Sequence, residues 1–168
     1  MKIFTISIIA FVALIAPISP VFAATVTGAL NIQTNLLSTC SVSTTPVNFG
    51  DISSPSGVNA TGDVIVNCQS GLTYHIALDA GTNYTAGSQY RSLMTGGGVA
   101  TPLFYNLAKV SGEMWGDRDY ANTFQYGTSL ADTSNGGNQS HIVYGSLQSG
   151  GSTIPGIYTG IVQVTVHW

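Results

Sequence analysis

The chain has 168 residues, of which 7% are charged, with Lys+Arg 4 against Asp+Glu 7 and a net charge of −3. A weakly acidic chain without a basic cluster excludes the electrostatic footprint that nucleic acid or an anionic membrane surface requires. A hydrophobic content of 44% excludes wholesale disorder, and the length suits one domain with a real core.

The first residues predict export. Lys2 gives a positive start, Ile3 to Ile15 is apolar except for Thr5 and Ser7, and Pro17 and Pro20 end the run. Val21-Phe22-Ala23 then supplies the small or apolar residues of a cleavage site, so residues 1–23 read as a secretory signal peptide cut after Ala23. The run is short for a membrane span, and no later segment is apolar enough, so no membrane insertion is expected after cleavage.

Thr25 to Leu36 alternates. Val26, Gly28, Leu30, Ile32, Thr34 and Leu36 fall on one side, and Thr27, Ala29, Asn31, Gln33 and Asn35 on the other, which predicts a strand with one apolar face. Cys40 to Phe49 is a second strand region, with Val42, Val47 and Phe49 as core candidates and Pro46 marking an edge or bulge. Residues 50–61 read as loop. Asp63 to Cys68 turns Val64, Val66 and Cys68 to one face and Ile65 to the other. Leu72 to Leu78 places Leu72, Tyr74, Ile76 and Leu78 inward, with Thr73, His75 and Ala77 outward. Tyr90 to Met94 is a short strand before the turn Gly96-Gly97-Gly98, and Pro102 to Val110 carries Leu103, Tyr105 and Leu107 on one face. Residues 111–138 read mostly as loop with an apolar stretch near Phe124, and Ile142 to Leu147 is a strand. Ile157 to Trp168 is the last strand, with Tyr158, Val162, Val164, Val166 and Trp168 on one side. No sustained helical periodicity follows residue 23. Short strands separated by turns predict an all-β antiparallel sandwich in one domain.

Two cysteines, Cys40 and Cys68, enter an oxidising space after export, so a disulfide is the default. Free thiols or a metal site are the alternatives, but two distant cysteines without a nearby histidine pair make a weak metal motif. His75, His141 and His167 lie far apart, and no nucleophile elbow surrounds any serine, so no catalytic set is assigned. Glu113, Asp117 and Asp119 around Arg118 lack the spacing of a calcium loop and read as a solvated, self-paired loop. Trp115 and Tyr120 read as satellite core, with sugar stacking as the alternative. No cofactor, metal or enzymatic activity is expected.

The two ends carry the functional signal. The sequence runs to Trp168 inside an apolar strand pattern with no polar tail, while Thr25 to Leu36 is an apolar strand ahead of the domain. Two placements stay open on pattern alone. The N-terminal strand pairs within its own sandwich, or it fills an open groove in a neighbouring copy, a head-to-tail contact that generates a fibre.

A resemblance bears on that choice. Cys40-Ser-Val-Ser followed by Pro46-Val47-Asn48-Phe49-Gly50, then Gly62-Asp63-Val64-Ile65-Val66-Asn67-Cys68, Leu72 to Gly81, Tyr90-Arg91-Ser92-Leu93-Met94, Leu103-Phe104-Tyr105-Asn106-Leu107, Met114-Trp115-Gly116-Asp117, Tyr144-Gly145-Ser146-Leu147 and Gly156 to Val166 succeed one another in this order. In this order the chain resembles the spore coat protein U domain family, which includes the archaic (Csu-type) chaperone–usher pilins. Arg118 departs from the glycine that usually follows Trp-Gly-Asp there.

The resemblance implies an incomplete immunoglobulin-like β-sandwich lacking its last strand, completed by a donor strand from a neighbouring subunit or a chaperone. It implies a signal peptide at 1–23, a donor segment at 24–38 and a pilin domain at 39–168. Cys40 and Cys68 would bridge the first two strands of the domain. Val26, Gly28, Leu30 and Ile32 would be the donor residues, and Val162, Val164, Val166 and Trp168 would border the acceptor groove. The implied partners are identical or related pilin subunits, a periplasmic chaperone and an outer-membrane usher, and the implied destination is a cell-surface fibre supporting adhesion and biofilm formation. A self-contained sugar- or surface-binding module and a spore or fruiting-body coat component are the alternative readings.

Overall fold

A computed structural model describes residues 29–95, 101–151 and 154–168. The expected signal peptide, the donor positions Val26 and Gly28, and the turn Gly96-Gly97-Gly98 lie outside these residues. The chain divides into two compact units, Met1–Asn35 and Leu36–Trp168. In the first, the described residues 29–35 form no strand, and Leu30 and Ile32 are 85% and 88% exposed.

The second unit is all-β among its described residues. Its strands are β1 (Cys40–Thr45), β2 (Asn59–Cys68), β3 (Thr73–Leu78), β4 (Arg91–Thr95), β5 (Leu103–Ala108), β6 (Leu130–Thr133), β7 (Gln139–Leu147), β8 (Tyr158–Thr159) and β9 (Val164–His167). They form a large sheet in the order β1-β2-β7-β5-β4-β8 and a small sheet in the order β6-β3-β9, with antiparallel pairing throughout.

Alternation makes these strands and sets their faces. Val64 and Val66 of β2, Tyr105 and Leu107 of β5, and Val143 and Leu147 of β7 project from the large sheet onto Tyr74, Ile76 and Leu78 of β3. Each such side chain contributes about 1.5–3 kcal/mol when removed from water. Trp115 closes this core, fully buried, with its indole N–H donating to the Ile76 carbonyl at 2.8 Å. A polar contact joins the two sheets. The Tyr74 hydroxyl lies 2.8 Å from His141 Nε2 of β7 and 3.3 Å from Asp132 of β6. Burial, reinforced by Asp132, pushes the Tyr74 phenol up to about 12, and burial lowers the His141 imidazole against the opposing pull of Asp132.

Several expectations about the strands need correction. Strand β2 begins at Asn59, inside the stretch read as loop, because β7 runs on beside it and pairs Asn59 with Ser146. Strand β6 was also hidden in the 111–138 loop. Val42 is 44% exposed rather than core, because β1 is an edge strand whose pairing among the described residues is with β2 alone. The single last strand is two: β8 pairs with β4 in the large sheet, and β9 pairs with β3 in the small one. The chain changes sheets at Gly160–Gln163, so the one-sided alternation predicted from Tyr158 to Trp168 breaks there.

The disulfide joins Cys40, the first residue of β1, to Cys68, the last of β2, which are direct register partners. It holds the otherwise exposed β1 on the sheet. Reducing it is expected to lower stability by about 3–4 kcal/mol and the melting temperature by roughly 10 °C. Thermal melts with and without reductant check this, and coincident melts would contradict it.

Candidate functional site

The site is built from two edges that face each other. The first is β9. Its partner on one side is β3, with His75↔His167, Ile76↔Val166, Ala77↔Thr165 and Leu78↔Val164 in register. On the other side no strand pairs with it among the described residues. Ahead of β9, Asp79 N–H donates to the Gln163 carbonyl at 3.1 Å, so Gln163, Thr165 and His167 turn their backbone groups towards β3. By the alternation of an antiparallel ladder, Val162, Val164 and Val166 turn theirs towards the open edge. Their side chains are half-buried and pack against the core. One set of residues therefore presents free backbone hydrogen-bonding groups and an apolar surface together.

The second edge is the stretch that follows β1. Pro46 has no N–H to donate, and the strand ends at Thr45, where Asp63 N–H donates to the Thr45 hydroxyl at 2.8 Å. Beyond it Val47 and Phe49 dip over β7 at Gly145. A Cβ on Gly145 would stand 2.5 Å from Val47 and 3.0 Å from Phe49, so this approach requires glycine.

Between the edges lies a cleft of about 280 Å³. Thr44–Val47 and Phe49 form one lip, and Gly160–Val162 with Val164 form the other. The floor is Val64, Leu78, Leu93, Tyr105, Leu107 and Val143. It continues into a second hollow of about 740 Å³ between residues 46–52 and 156–160. The lips run in opposite directions, since higher numbers on the first face lower numbers on the second. Burial pushes the Tyr105 phenol up to about 12, so this hydroxyl stays neutral at neutral pH, and the acidic residue on the lining is Asp63, beside Thr45.

A polar hub around the half-buried Asp79 holds the 160–163 lip in place. The Asp79 carboxylate accepts from Gly81 N–H and Gln163 N–H, both at 2.9 Å, and Thr82 N–H donates to the Ile161 carbonyl at 2.9 Å. Beneath this turn Arg91 is fully buried. Its guanidinium donates to the carbonyls of Asp79 (2.8 Å), Leu78 (3.1 Å) and Trp115 (2.9 Å) and lies 3.9 Å from the Phe124 ring centre. Burial lowers the Arg91 pKa to about 10, partly offset by Tyr105, Asp79 and Asp117, so it remains a cation at neutral pH. Arg91 was read only as part of a short strand. A lone arginine in a short strand otherwise free of charge is the available signal.

The remaining sequence candidates are placed as follows. Trp168 is 57% exposed at the far end of β9. Trp115 is core and unavailable for sugar stacking. Tyr120 stacks on His167 with ring centres 3.9 Å apart, over the outer face of the small sheet, and His75 lies 5.6 Å from it. The acidic loop is not a solvated, self-paired one. Asp117 is buried and accepts from Phe124 N–H (2.6 Å), Thr123 N–H (3.0 Å) and the Thr123 hydroxyl (2.7 Å), while Asp119 accepts from Ser129. Among the described residues no group of three or more histidine, cysteine or acidic side chains could hold a metal ion, and no helix is long and apolar enough to cross a membrane.

Comparison with known proteins bears on this geometry. The model of the Spore Coat Protein U domain matches residues 26–165. No curated protein matches the chain. Among solved structures, the fold is similar to a chain of the CsuC–CsuE chaperone–tip adhesion subunit pre-assembly complex from archaic chaperone-usher Csu pili of Acinetobacter baumannii. The TM-score is 0.56 at 20% identity, covering 79% of this chain and 40% of that one. The likeness identifies the architecture as an immunoglobulin-like β-sandwich.

Proposed function

This chain belongs to the Spore Coat Protein U domain family, and from that premise we propose that it is a structural subunit of a chaperone–usher pilus that polymerises by donor-strand complementation. Residues 1–23 direct export and are removed, residues 24–38 are the donor segment, and residues 39–168 are the acceptor domain. The observation that carries the reading is the edge of β9, where Val162, Val164 and Val166 offer backbone groups and apolar side chains beside a cleft floored by core residues.

An open strand edge over an exposed core is an aggregation hazard that an added strand removes. A periplasmic chaperone covers the groove first, and at an outer-membrane usher the donor segment of the next subunit replaces it, with Val26, Leu30 and Ile32 on the floor and Gly28 where the cleft is tight. The exposure of Leu30 and Ile32 in the single chain fits a segment whose apolar face is covered elsewhere. The resulting fibre stands on the cell surface and supports adhesion and biofilm formation. No step calls for a cofactor or a catalytic residue.

The test is a thermal melt and a size measurement of the purified mature chain, residues 24–168, with and without a synthetic peptide of residues 24–38. The peptide is expected to raise the melting temperature and to block self-association. A stable monomer that ignores the peptide would contradict the proposal.

A further inference from the structure

Resting on the donor-strand reading above, we infer that consecutive subunits share a second contact beyond the first cleft, at the mouth of the second hollow, in which Leu36 and Leu37 of the donating copy close on Ile157 of the accepting copy. In the single chain these three side chains are 82%, 78% and 83% exposed. Scattered exposed aliphatics are ordinary, but strand addition brings these together.

A strand added antiparallel to β9 runs from the Trp168 end towards Gly160. Setting donor Leu30 opposite Val162 places Leu36 opposite Gly156, and setting it opposite Val164 places Leu36 opposite Tyr158. Both registers deliver Leu36 and Leu37 to the stretch that holds Ile157. The accepting chain has by then turned into β8 to pair with β4, so the cleft has given way to the second hollow and the donor side chains reach it beside Ile157, which lines it.

The geometry of the donating copy makes the contact consequential. Leu37 is three residues from Cys40, where the disulfide fixes the chain to β2. Three residues span at most roughly 10 Å, so the accepting copy's Ile157 lies close to the body of the donating subunit. The contact therefore limits the angle between neighbours as well as burying aliphatic surface. Its partner is a second copy of this chain.

The test uses fibres of the mature chain and reads their dissociation rate in mild denaturant. Four chains are compared: the unaltered chain, Leu36→Ser/Leu37→Ser, Ile157→Ser, and all three substitutions together. Because the altered side chains are exposed, the melting temperature of each subunit should stay unchanged. Each partial variant is expected to dissociate roughly tenfold faster, and the combined variant no faster than either, since one contact can be lost only once. Fibres that dissociate at the unaltered rate, or rates that multiply in the combined variant, would overturn the contact while leaving the donor-strand reading intact. Coupling of the leucines to Trp168→Ser instead of Ile157→Ser would overturn it too, by showing that the donor runs parallel to β9. If the unaltered chain forms no fibres, the donor-strand reading itself has failed and the contact falls with it.

Discussion

Arg91→Ala is expected to leave the domain largely unfolded at physiological temperature. The guanidinium is fully buried and serves three carbonyls, those of Leu78, Asp79 and Trp115. Removing it leaves those acceptors without this donor and opens a cavity under Phe124. An unsatisfied buried polar group costs about 1–3 kcal/mol, and the cavity adds to that. The total is comparable to the roughly 5–15 kcal/mol that hold a domain together. The damage converges on the 160–163 lip, because Asp79 also holds Gln163 and Gly81. Arg91→Lys keeps the charge but not the planar fork that reaches several carbonyls, so its stability should fall between the two. Urea unfolding followed by circular dichroism checks the order. An Arg91→Ala chain with an unchanged midpoint would contradict it.

The second large effect separates folding from assembly. Leu30→Asp changes a side chain that is 85% exposed in the single chain, so the subunit should melt as before, within about 0.5 kcal/mol. In a fibre the same side chain would stand on the apolar floor of Val64, Leu78, Leu107 and Val143. Placing a carboxylate there without a partner costs several kcal/mol, which corresponds to a loss of assembly of roughly a thousandfold. Asn31→Asp, on the opposite face of the same segment, adds the same charge and should assemble normally. Light scattering of the three chains under identical conditions measures this. Normal polymerisation of Leu30→Asp would mean that the segment does not enter the groove.

Much of the fold was legible because alternation leaves a strong imprint on a half-buried strand. The buried sets Val64, Val66 and Cys68, Tyr74, Ile76 and Leu78, and Leu103, Tyr105 and Leu107 were all assigned to the correct face. What escaped depended on tertiary partners. Leu130–Thr133 is four residues of mixed polarity that become a strand only because β3 offers an edge. Val42 has the pattern of a core residue but sits on a strand with one neighbour. Ala77 was read as outward, and it is buried all the same. Asp117 shows the same limit, because its burial is decided by a loop whose path has no periodicity, whereas Trp115 is core as its reading as satellite core expects.

The candidate site was legible only in part. The alternation of Val162, Val164 and Val166 marks a strand, but nothing local states that one edge of it has no pairing strand among the described residues. That fact belongs to the sheet order, β6-β3-β9. The sheet change near Gly160, which opens the cleft between the 44–49 and 160–164 lips, is likewise a property of pairing with β4 and then β3.

The most direct test of the account is residue-resolved amide hydrogen exchange on the mature chain, before and after addition of the 24–38 peptide. Val162, Val164 and Val166 turn their N–H groups to the open edge, whereas Gln163 and Thr165 turn theirs to Asp79 and β3. The peptide is expected to protect the three valine amides strongly and to change the two intervening ones much less. Uniform protection along 162–166, or none, would contradict the claim that this edge receives the donated strand.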